Sequence, residues 1–197
     1  ASGNDLQFLA DAWLVCEACG GDVDLVRRAV GADSRIGSSF LFSGIGYGGS
    51  CFPKDVSALV RFAASEGYQF EILKAVEQVN RQQRLRFVER MERHLRPIKG
   101  RTIAVWGLAF KPRTDDMREA PAITIIHRLL GLGAKVQAYD PQASRVARGI
   151  LGTRVHLVDG AYEALKGADA LAILTEWNEF REPDFDRMRK LMRTPII

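Results

Sequence analysis

The second half of the sequence alternates short apolar segments with amphipathic ones, and this alternation restricts the possible folds more than any other feature. "RTIAVWGLAF" is typical of a buried strand, and "APAITIIHRLLGLG" of an amphipathic helix that ends at glycine. Further strand segments are "AKVQAYD", "RVHLV" and "ADALAILT", separated by the helical segments "SRVARGI" and "AYEALKG". Strands that alternate with helices form βαβ units, so we predict a parallel, Rossmann-like sheet. The final "RTPII" predicts the start of another strand.

The first half predicts helices interrupted by one glycine-containing loop. Helical spacing covers residues 5–19, 54–67 and 70–95, and Asp22 is placed to cap a short helix that ends near residue 30. The apolar residues of the longest helix recur near one face, which suits a subunit interface: Leu73, Val76, Phe87, Met91 and Leu95. "RPIKG" at residues 96–100 breaks this pattern. The predicted fold is therefore α/β, with a helical domain at residues 1–97 and a Rossmann-like domain at residues 98–197.

The composition excludes several function classes. The chain has 197 residues, 47% of them hydrophobic and 26% charged, with a net charge of +4. A mild basic excess without a nucleic-acid motif favours a small anionic ligand over nucleic acid. The apolar runs fall short of the ~18 residues that a membrane helix needs, so we expect no membrane association. An odd number of cysteines in a chain of this size predicts a reducing, cytoplasmic compartment.

Two of the three cysteines form a C-x-x-C pair within a helical pattern. Cys16 and Cys19 lie in "LQFLADAWLVCEAC", and no second pair of metal ligands follows. The pattern favours packing residues over a redox or zinc site, and no metal is predicted.

The third cysteine, Cys51, lies in "YGGSCFPKD". Unbonded cysteine is often a small buried residue, which is one interpretation of this position. The other is a nucleophile, because glycines allow a ligand to approach the backbone and nearby charges favour the thiolate. The sequence alone leaves both interpretations open.

The region around the turn after the first predicted strand has one feature that favours dinucleotide binding and one that disfavours it. Asp140 ends the second strand, where an acid that binds ribose would lie, but "GLAFKPRTDDMREAP" has one glycine where the dinucleotide fingerprint needs three. NAD binding by this sheet alone is therefore not expected, and "GIGYGGSC" is a false match because no strand precedes it. Lys111, Arg113 and Arg118 suit a diphosphate, although a solvated basic loop explains them equally well.

Three long motifs together resemble one enzyme family. "GIGYGGSCFPKD", "GLAFKPRTDDMREAPA" and "TEWNEF" occur in the order and spacing of the UDP-glucose/GDP-mannose dehydrogenase family, and "GADSRIGSSFL" and "CEACGGDVDLV" resemble weaker family segments. "TEW" and "KPRTDDMREAP" are more similar to its UDP-glucose branch. The resemblance implies oxidation of UDP-glucose to UDP-glucuronate in two NAD-dependent hydride transfers, with a cysteine that captures the intermediate aldehyde.

The resemblance also assigns roles to individual residues. It implies catalytic roles for Cys51 and Asp55, and contacts with NAD for Lys54 and Arg118. It implies that Arg35 reaches the UDP-sugar across a homodimer interface, which the helix at residues 70–95 would form. The other implied substrate-binding residues are Phe42, Ser43, Gly44, Ile45, Gly46, Tyr47, Gly48, Phe110 and Lys111.

The resemblance further implies that this chain is the central and C-terminal part of such an enzyme. The family's NAD-binding domain with G-x-G-x-x-G, and a catalytic lysine, asparagine and acid, are expected before Ala1, and a substrate-binding arginine after Ile197. We therefore expect the chain alone to be inactive. The alternatives are a non-catalytic module for UDP-sugar binding and dimerisation, a dehydrogenase for another nucleotide sugar such as GDP-mannose, and an unrelated Rossmann-like domain. A strand followed by G-x-G-x-x-G upstream of this chain would favour a dehydrogenase over the non-enzymatic alternatives.

Overall fold

A computed structural model of the chain describes residues 18–39, 41–42 and 44–197, together with residues 12, 15 and 16. The chain divides into two compact units. Unit 1 comprises Ala1–Gly46 and Pro53–Gln83, and unit 2 comprises Tyr47–Phe52 and Arg84–Ile197. The short segment that carries Cys51 thus belongs to unit 2, which no pattern in the sequence indicates. The domain boundary between residues 97 and 98 stays a prediction.

Three of the predicted helices of the first half are present in the described residues. Helix α1 spans Val23–Gly31, and the Asp22 side chain caps it by accepting hydrogen bonds from the N–H groups of Asp24 and Leu25. Helix α2 spans Phe52–Ser65 and α3 spans Glu71–His94. Most of the helix predicted at residues 5–19 lies outside the described residues. Of its two cysteines, Cys16 is buried and Cys19 is exposed.

The long helix α3 agrees with the helix predicted at residues 70–95. Two members of its predicted apolar stripe, Val76 and Leu95, are 5% and 4% exposed, and Leu73 is half-buried. Leu85 on the same helix is 42% exposed. Dimerisation through α3 stays a prediction. None of the helices in the described residues is long and apolar enough to cross a membrane.

Unit 2 contains a sheet of four parallel strands. Strand β1 spans Thr102–Trp106, β2 Lys135–Tyr139, β3 Val155–Leu157 and β4 Ala170–Ile173. Their order is β3-β2-β1-β4, and all three pairs are parallel. The chain therefore proceeds from β1 in one direction to β3 and returns to the other side of β1 for β4. This reversal beside β1 is the position where open α/β sheets bind ligands.

Helices and 3₁₀ turns connect the strands of unit 2. Helix α4 spans Pro121–Gly131, α5 Ser144–Leu151, α6 Ala161–Ala164 and α7 Phe185–Leu191. The 3₁₀ turns are Gly152–Arg154 and Asn178–Phe180. The predicted Rossmann-like α/β fold is confirmed. The C-terminal strand signal is confirmed as a single parallel bridge between Ala170 and Ile196.

The core of unit 2 surrounds β1, whose five residues are all buried. Trp106 stacks on Phe180 with ring centroids 5.1 Å apart, and its indole N–H donates to the carbonyl oxygen of Ala161. At the amino end of the sheet the buried carboxylate of Asp169 accepts from the backbone N–H of Thr102 and pairs with Arg101. Both ends of β1 are thus held, which positions the loop that follows it.

Candidate functional site

Cys51 is exposed and lies immediately before the first residue of α2. The interpretation of this cysteine as a buried packing residue is therefore wrong. Its sulfur lies 3.7 Å from the Ser50 hydroxyl oxygen. The segment of residues 47–51, named here the cysteine loop, is positioned by contacts within unit 2.

The glycines of the cysteine loop allow it to touch the loop after β1. That second segment, residues 107–120, is named here the β1 loop. The N–H of Gly49 donates to the carbonyl oxygen of Arg118 at 2.8 Å. A Cβ atom on Gly48 would lie 2.3 Å from the carbonyl oxygen of Glu119, and one on Gly49 would lie 2.8 Å from the Phe110 ring. Gly49 also has a φ of +95°, which side chains disfavour. Two glycines therefore bring the two backbones into direct contact.

A buried arginine also contacts both loops. Arg84 on α3 is 7% exposed. Its Nη2 donates to the carbonyl oxygen of Tyr47 at 2.8 Å and to that of Glu119 at 3.2 Å, and its Nη1 donates to the Thr124 hydroxyl at 3.3 Å. Arg84 was not among the predicted site residues, because the pattern of an amphipathic helix predicts that its arginines are solvated.

The β1 loop begins with a turn that is held by Asp140. This carboxylate is 2% exposed and accepts five hydrogen bonds. The donors are the backbone N–H groups of Leu108, Ala109, Gln142 and Ala143 and the indole N–H of Trp177. Asp140 is therefore a structural carboxylate and has little capacity left for a ribose hydroxyl.

The first residue of the "TEW" motif, Thr175, also contacts the β1 loop. The Thr175 hydroxyl donates to the carbonyl oxygen of Ala109 at 2.7 Å. A Cβ atom on Gly107 would lie 2.5 Å from the Cβ of Thr175, so the single glycine of this turn serves packing between the ends of β1 and β4. These contacts place the β1 loop where the strand order reverses.

The β1 loop buries apolar side chains and exposes charged ones, three of which are basic. Leu108, Ala109, Met117 and Ala120 are at most 2% exposed, whereas Lys111, Arg113 and Arg118 are exposed. The Lys111 ammonium lies 5.2 Å from the centroid of the Phe110 ring. The loop therefore presents three cations on a support that is packed against the sheet.

Arg118 is oriented by a neighbouring carboxylate. Its Nε and Nη2 donate to Asp116 at 3.0 and 2.8 Å. This hydrogen bonding holds the pKa of the Asp116 carboxyl below its usual range. The same hydrogen bonds raise the pKa of Arg118, and a smaller attraction to Cys51 acts in the same direction.

Unit 2 thus brings six predicted site residues together. They are Tyr47, Gly48, Cys51, Phe110, Lys111 and Arg118. Their roles toward a substrate or cofactor stay predictions. In the part of the chain that the structure describes, no three histidine, cysteine or acidic side chains cluster as metal ligands.

The remaining predicted site residues belong to unit 1. Arg35 is exposed and pairs with Asp33 at 2.6 Å, and its hydrogen bonds lower the pKa of the Asp33 carboxyl. Lys54 and Asp55 lie in the first turn of α2, with Nζ and Oδ1 3.8 Å apart.

The glycine-rich loop of unit 1 is held in part by α3. Phe42 is 72% exposed, with the Arg27 guanidinium 4.6 Å from its ring centroid. The buried Gln83 donates to the carbonyl oxygen of Gly44 at 3.1 Å. Ile45 and Gly46 are half-buried, and Ser43 lies outside the described residues.

Comparison with known proteins agrees with this arrangement of a helical part, a cysteine loop and a parallel sheet. Residues 6–82 match the UDP-glucose/GDP-mannose dehydrogenase family, central domain, and residues 104–197 match the same family's UDP binding domain. The chain belongs to the UDP-glucose/GDP-mannose dehydrogenase family.

Individual relatives cover nearly the whole chain. It is 46% identical to the UDP-glucose 6-dehydrogenase of Pseudomonas aeruginosa over 98% of its length, and 46% identical to UDP-glucose 6-dehydrogenase TuaD of Bacillus subtilis, also over 98%. A solved UDP-glucose dehydrogenase from Pyrobaculum islandicum superposes on 99% of the chain with a TM-score of 0.89 and 34% identity. The chain spans 44%, 42% and 48% of these three proteins.

Proposed function

We propose that this chain forms the central and UDP-binding part of an NAD-dependent UDP-glucose 6-dehydrogenase, which oxidises UDP-glucose to UDP-glucuronate. One observation carries the proposal: the exposed Cys51 lies in a loop bound directly to the β1 loop, which exposes three basic side chains and lies where the strand order of the sheet reverses. This arrangement suits a thiol that acts on a sugar whose diphosphate is held by cations. The similarity to two UDP-glucose 6-dehydrogenases favours UDP-glucose over other nucleotide sugars.

The proposed role of Cys51 is to hold the intermediate aldehyde. The first oxidation removes a hydride and a proton from the C6 alcohol of the sugar and leaves an aldehyde. The sulfur of Cys51 then adds to the aldehyde carbon, the carbonyl π bond opens, and the oxygen takes up a proton to give a thiohemiacetal. Without this bond the aldehyde could leave the site between the two oxidations.

The second oxidation converts the thiohemiacetal into a thioester. The carbon loses a hydride and its hydroxyl loses a proton, while the sulfur remains attached. Water then adds to the thioester carbon and the C–S bond breaks, which releases the carboxylic acid and restores the thiol. Asp55, in the first turn of α2 and four residues after Cys51, orients or activates this water.

The substrate's diphosphate is assigned to the cationic residues. Lys111 and Phe110 of the β1 loop bind the nucleotide-sugar, and residues 42–48 lie along the sugar and diphosphate. Arg35 contributes from the second subunit of a homodimer. Its exposed side chain, which pairs with Asp33 two residues away, is compatible with a partner outside its own subunit.

The sheet of unit 2 does not fit NAD in the manner of a dinucleotide-binding fold. Gly107 is the one glycine in residues 107–120, and the space beside it is filled by Thr175. Asp140, at the end of β2, already accepts five hydrogen bonds. We therefore propose that NAD, which accepts the hydride in both oxidations, is held mainly by a domain outside this chain. Lys54 and Arg118 contribute contacts from this chain.

The test is a product analysis with the purified intact enzyme. We expect UDP-glucose and NAD to give UDP-glucuronate with two NADH formed for each acid, and GDP-mannose to give no acid. Oxidation of GDP-mannose at a higher rate than UDP-glucose would instead assign the enzyme to the GDP-mannose branch of the family. Saturable binding of UDP-glucose without any NADH would instead support the binding and dimerisation module.

A further inference from the structure

Arg84 is the buried residue that contacts both loops of the proposed site. The described hydrogen bonds of its guanidinium reach three separate segments: the cysteine loop through Tyr47, the β1 loop through Glu119, and α4 through Thr124. The guanidinium is attached to α3, a regular helix of 24 residues, so its backbone position is well fixed. An arginine can make several such contacts at once because its donors form a planar fork.

The backbones that Arg84 joins need a restraint. Glu119 has a φ of +51°, which is uncommon for a residue other than glycine and costs free energy. Its carbonyl oxygen also lies where a side chain at Gly48 would be. Two carbonyl oxygens that converge on one region repel each other, and a shared guanidinium converts this repulsion into attraction.

We propose that Arg84 is a positioning residue that holds the Cys51 sulfur at a fixed place relative to the β1 loop. The proposal rests on the proposed function, because its consequence is the efficient capture of the aldehyde by Cys51. The hydrogen bond between Gly49 and Arg118 joins the two loops directly. Arg84 binds next to this bond in each loop, at Tyr47 in the cysteine loop and at Glu119 in the β1 loop. Loss of the guanidinium therefore removes the hydrogen bonds to Tyr47 and Glu119 and keeps the one between Gly49 and Arg118.

Loss of the Arg84 contacts should change how much of the bound aldehyde becomes acid and how much leaves the site. A bound aldehyde either reacts with the Cys51 sulfur and proceeds to the acid, or it leaves the site. Misplacement of a reacting group by about 1 Å can slow its reaction by about a hundredfold. A displaced cysteine loop should slow capture and leave the rate of escape unchanged, so that the ratio of released aldehyde to acid increases.

The experiment compares Arg84→Lys with wild type and with Arg93→Lys in the intact enzyme. Lysine keeps the positive charge but carries all its donors on one nitrogen, so it lacks the planar fork that reaches three segments from two nitrogens. Arg93 is an exposed arginine near the end of the same helix. Released UDP-linked aldehyde is trapped with hydroxylamine as its oxime and quantified together with UDP-glucuronate. We expect Arg84→Lys to raise the ratio of oxime to acid by about ten- to a hundredfold, and Arg93→Lys to leave it at the wild-type value.

The ratio separates positioning from general stability, because a smaller folded fraction lowers both products equally. An unchanged ratio in Arg84→Lys overturns the proposal, even where total activity falls. Thr124→Val removes one weaker contact, and we expect it to raise the ratio by about two- to threefold. If Arg84→Lys does not fold, an unchanged ratio in Thr124→Val overturns the proposal.

A failure of the underlying function gives a different result. If Cys51→Ser forms acid at the wild-type rate, the thiol does not capture the aldehyde and the proposed function fails. If Cys51→Ser loses acid formation while Arg84→Lys keeps the wild-type ratio, the function stands and only the role of Arg84 is refuted.

Discussion

A methyl group at position 48 would lie 2.3 Å from a backbone oxygen of the β1 loop, because the two loops touch without any side chain between them. We expect Gly48→Ala to lower the free energy of unfolding by roughly 1–3 kcal/mol, the usual cost of overpacking. Gly44→Ala is the matched control, since no atom of the described residues lies within 4 Å of its Cβ position and its φ is not positive.

Urea denaturation of both variants gives the free energy, and the alkylation rate of Cys51 by iodoacetamide gives the accessibility of the thiol. A displaced loop should change the alkylation rate in Gly48→Ala and not in Gly44→Ala. Equal stability and equal alkylation in the two variants would mean that the loops do not touch as described.

Individual residues show where sequence analysis reaches its limit. The exposure of Cys51 was one of two open interpretations, because a thiol between small residues suits both a core and a site. Asp140 looked like a ribose-binding acid, since its position after a strand is visible in sequence. Its five donors come from residues as distant in sequence as Leu108 and Trp177, and only the folded chain brings them together.

At the scale of elements, the β1 loop carries the cations that are assigned to the diphosphate. We expect Lys111→Ala in the intact enzyme to weaken UDP-glucose binding by roughly ten- to a hundredfold, because a charge-assisted hydrogen bond contributes about 1.5–3 kcal/mol. NAD binding should change far less. Lys135→Ala is the control, since this exposed lysine begins β2 and lies at the amino end of the sheet, opposite the β1 loop.

Titration calorimetry with UDP-glucose measures both variants. A loss of affinity that is equal in Lys111→Ala and Lys135→Ala would indicate a general effect of net charge. Unchanged UDP-glucose affinity in both variants would mean that Lys111 does not bind the substrate.

The elements themselves were largely predictable. Hydrophobic periodicity and glycine predicted the four strands of unit 2 and helices α2 to α6, because buried apolar side chains recur at the period of their element. Helix α1, which has no buried residue, was predicted from its cap Asp22. Helix α7 was missed, since "FDRMRKL" contains four charged residues and Met188 is its one buried residue. Its start is nevertheless encoded, because the Asp184 side chain caps it by accepting from the N–H of Arg187.

At the scale of the whole molecule, the proposed function requires two subunits for each site. If Arg35 serves its partner's site, a heterodimer of Arg35→Ala and Cys51→Ser subunits contains one site with both defects and one site with neither. Each homodimer of a variant is inactive at both sites. Equal mixing with random exchange should therefore restore about a quarter of the wild-type sites.

Sedimentation shows whether the dimer forms, and the rate of NADH formation shows whether activity returns. Heterodimers that form but stay as inactive as the separate variants would mean that Arg35 serves its own subunit or no site. A monomer at micromolar concentration would count against dimerisation through α3.

The central claim is that Cys51 becomes covalently bonded to C6 of the substrate. Asp55→Asn should slow the attack of water on the thioester, so this variant is expected to accumulate the bound intermediate. The intact Asp55→Asn enzyme is reacted with UDP-glucose and NAD, quenched in acid, digested and analysed by mass spectrometry. The account predicts a glucuronyl thioester on the peptide that contains Cys51 and no modification at Cys19, which is also exposed. An unmodified Cys51 peptide, together with wild-type acid formation by Cys51→Ser, would contradict it.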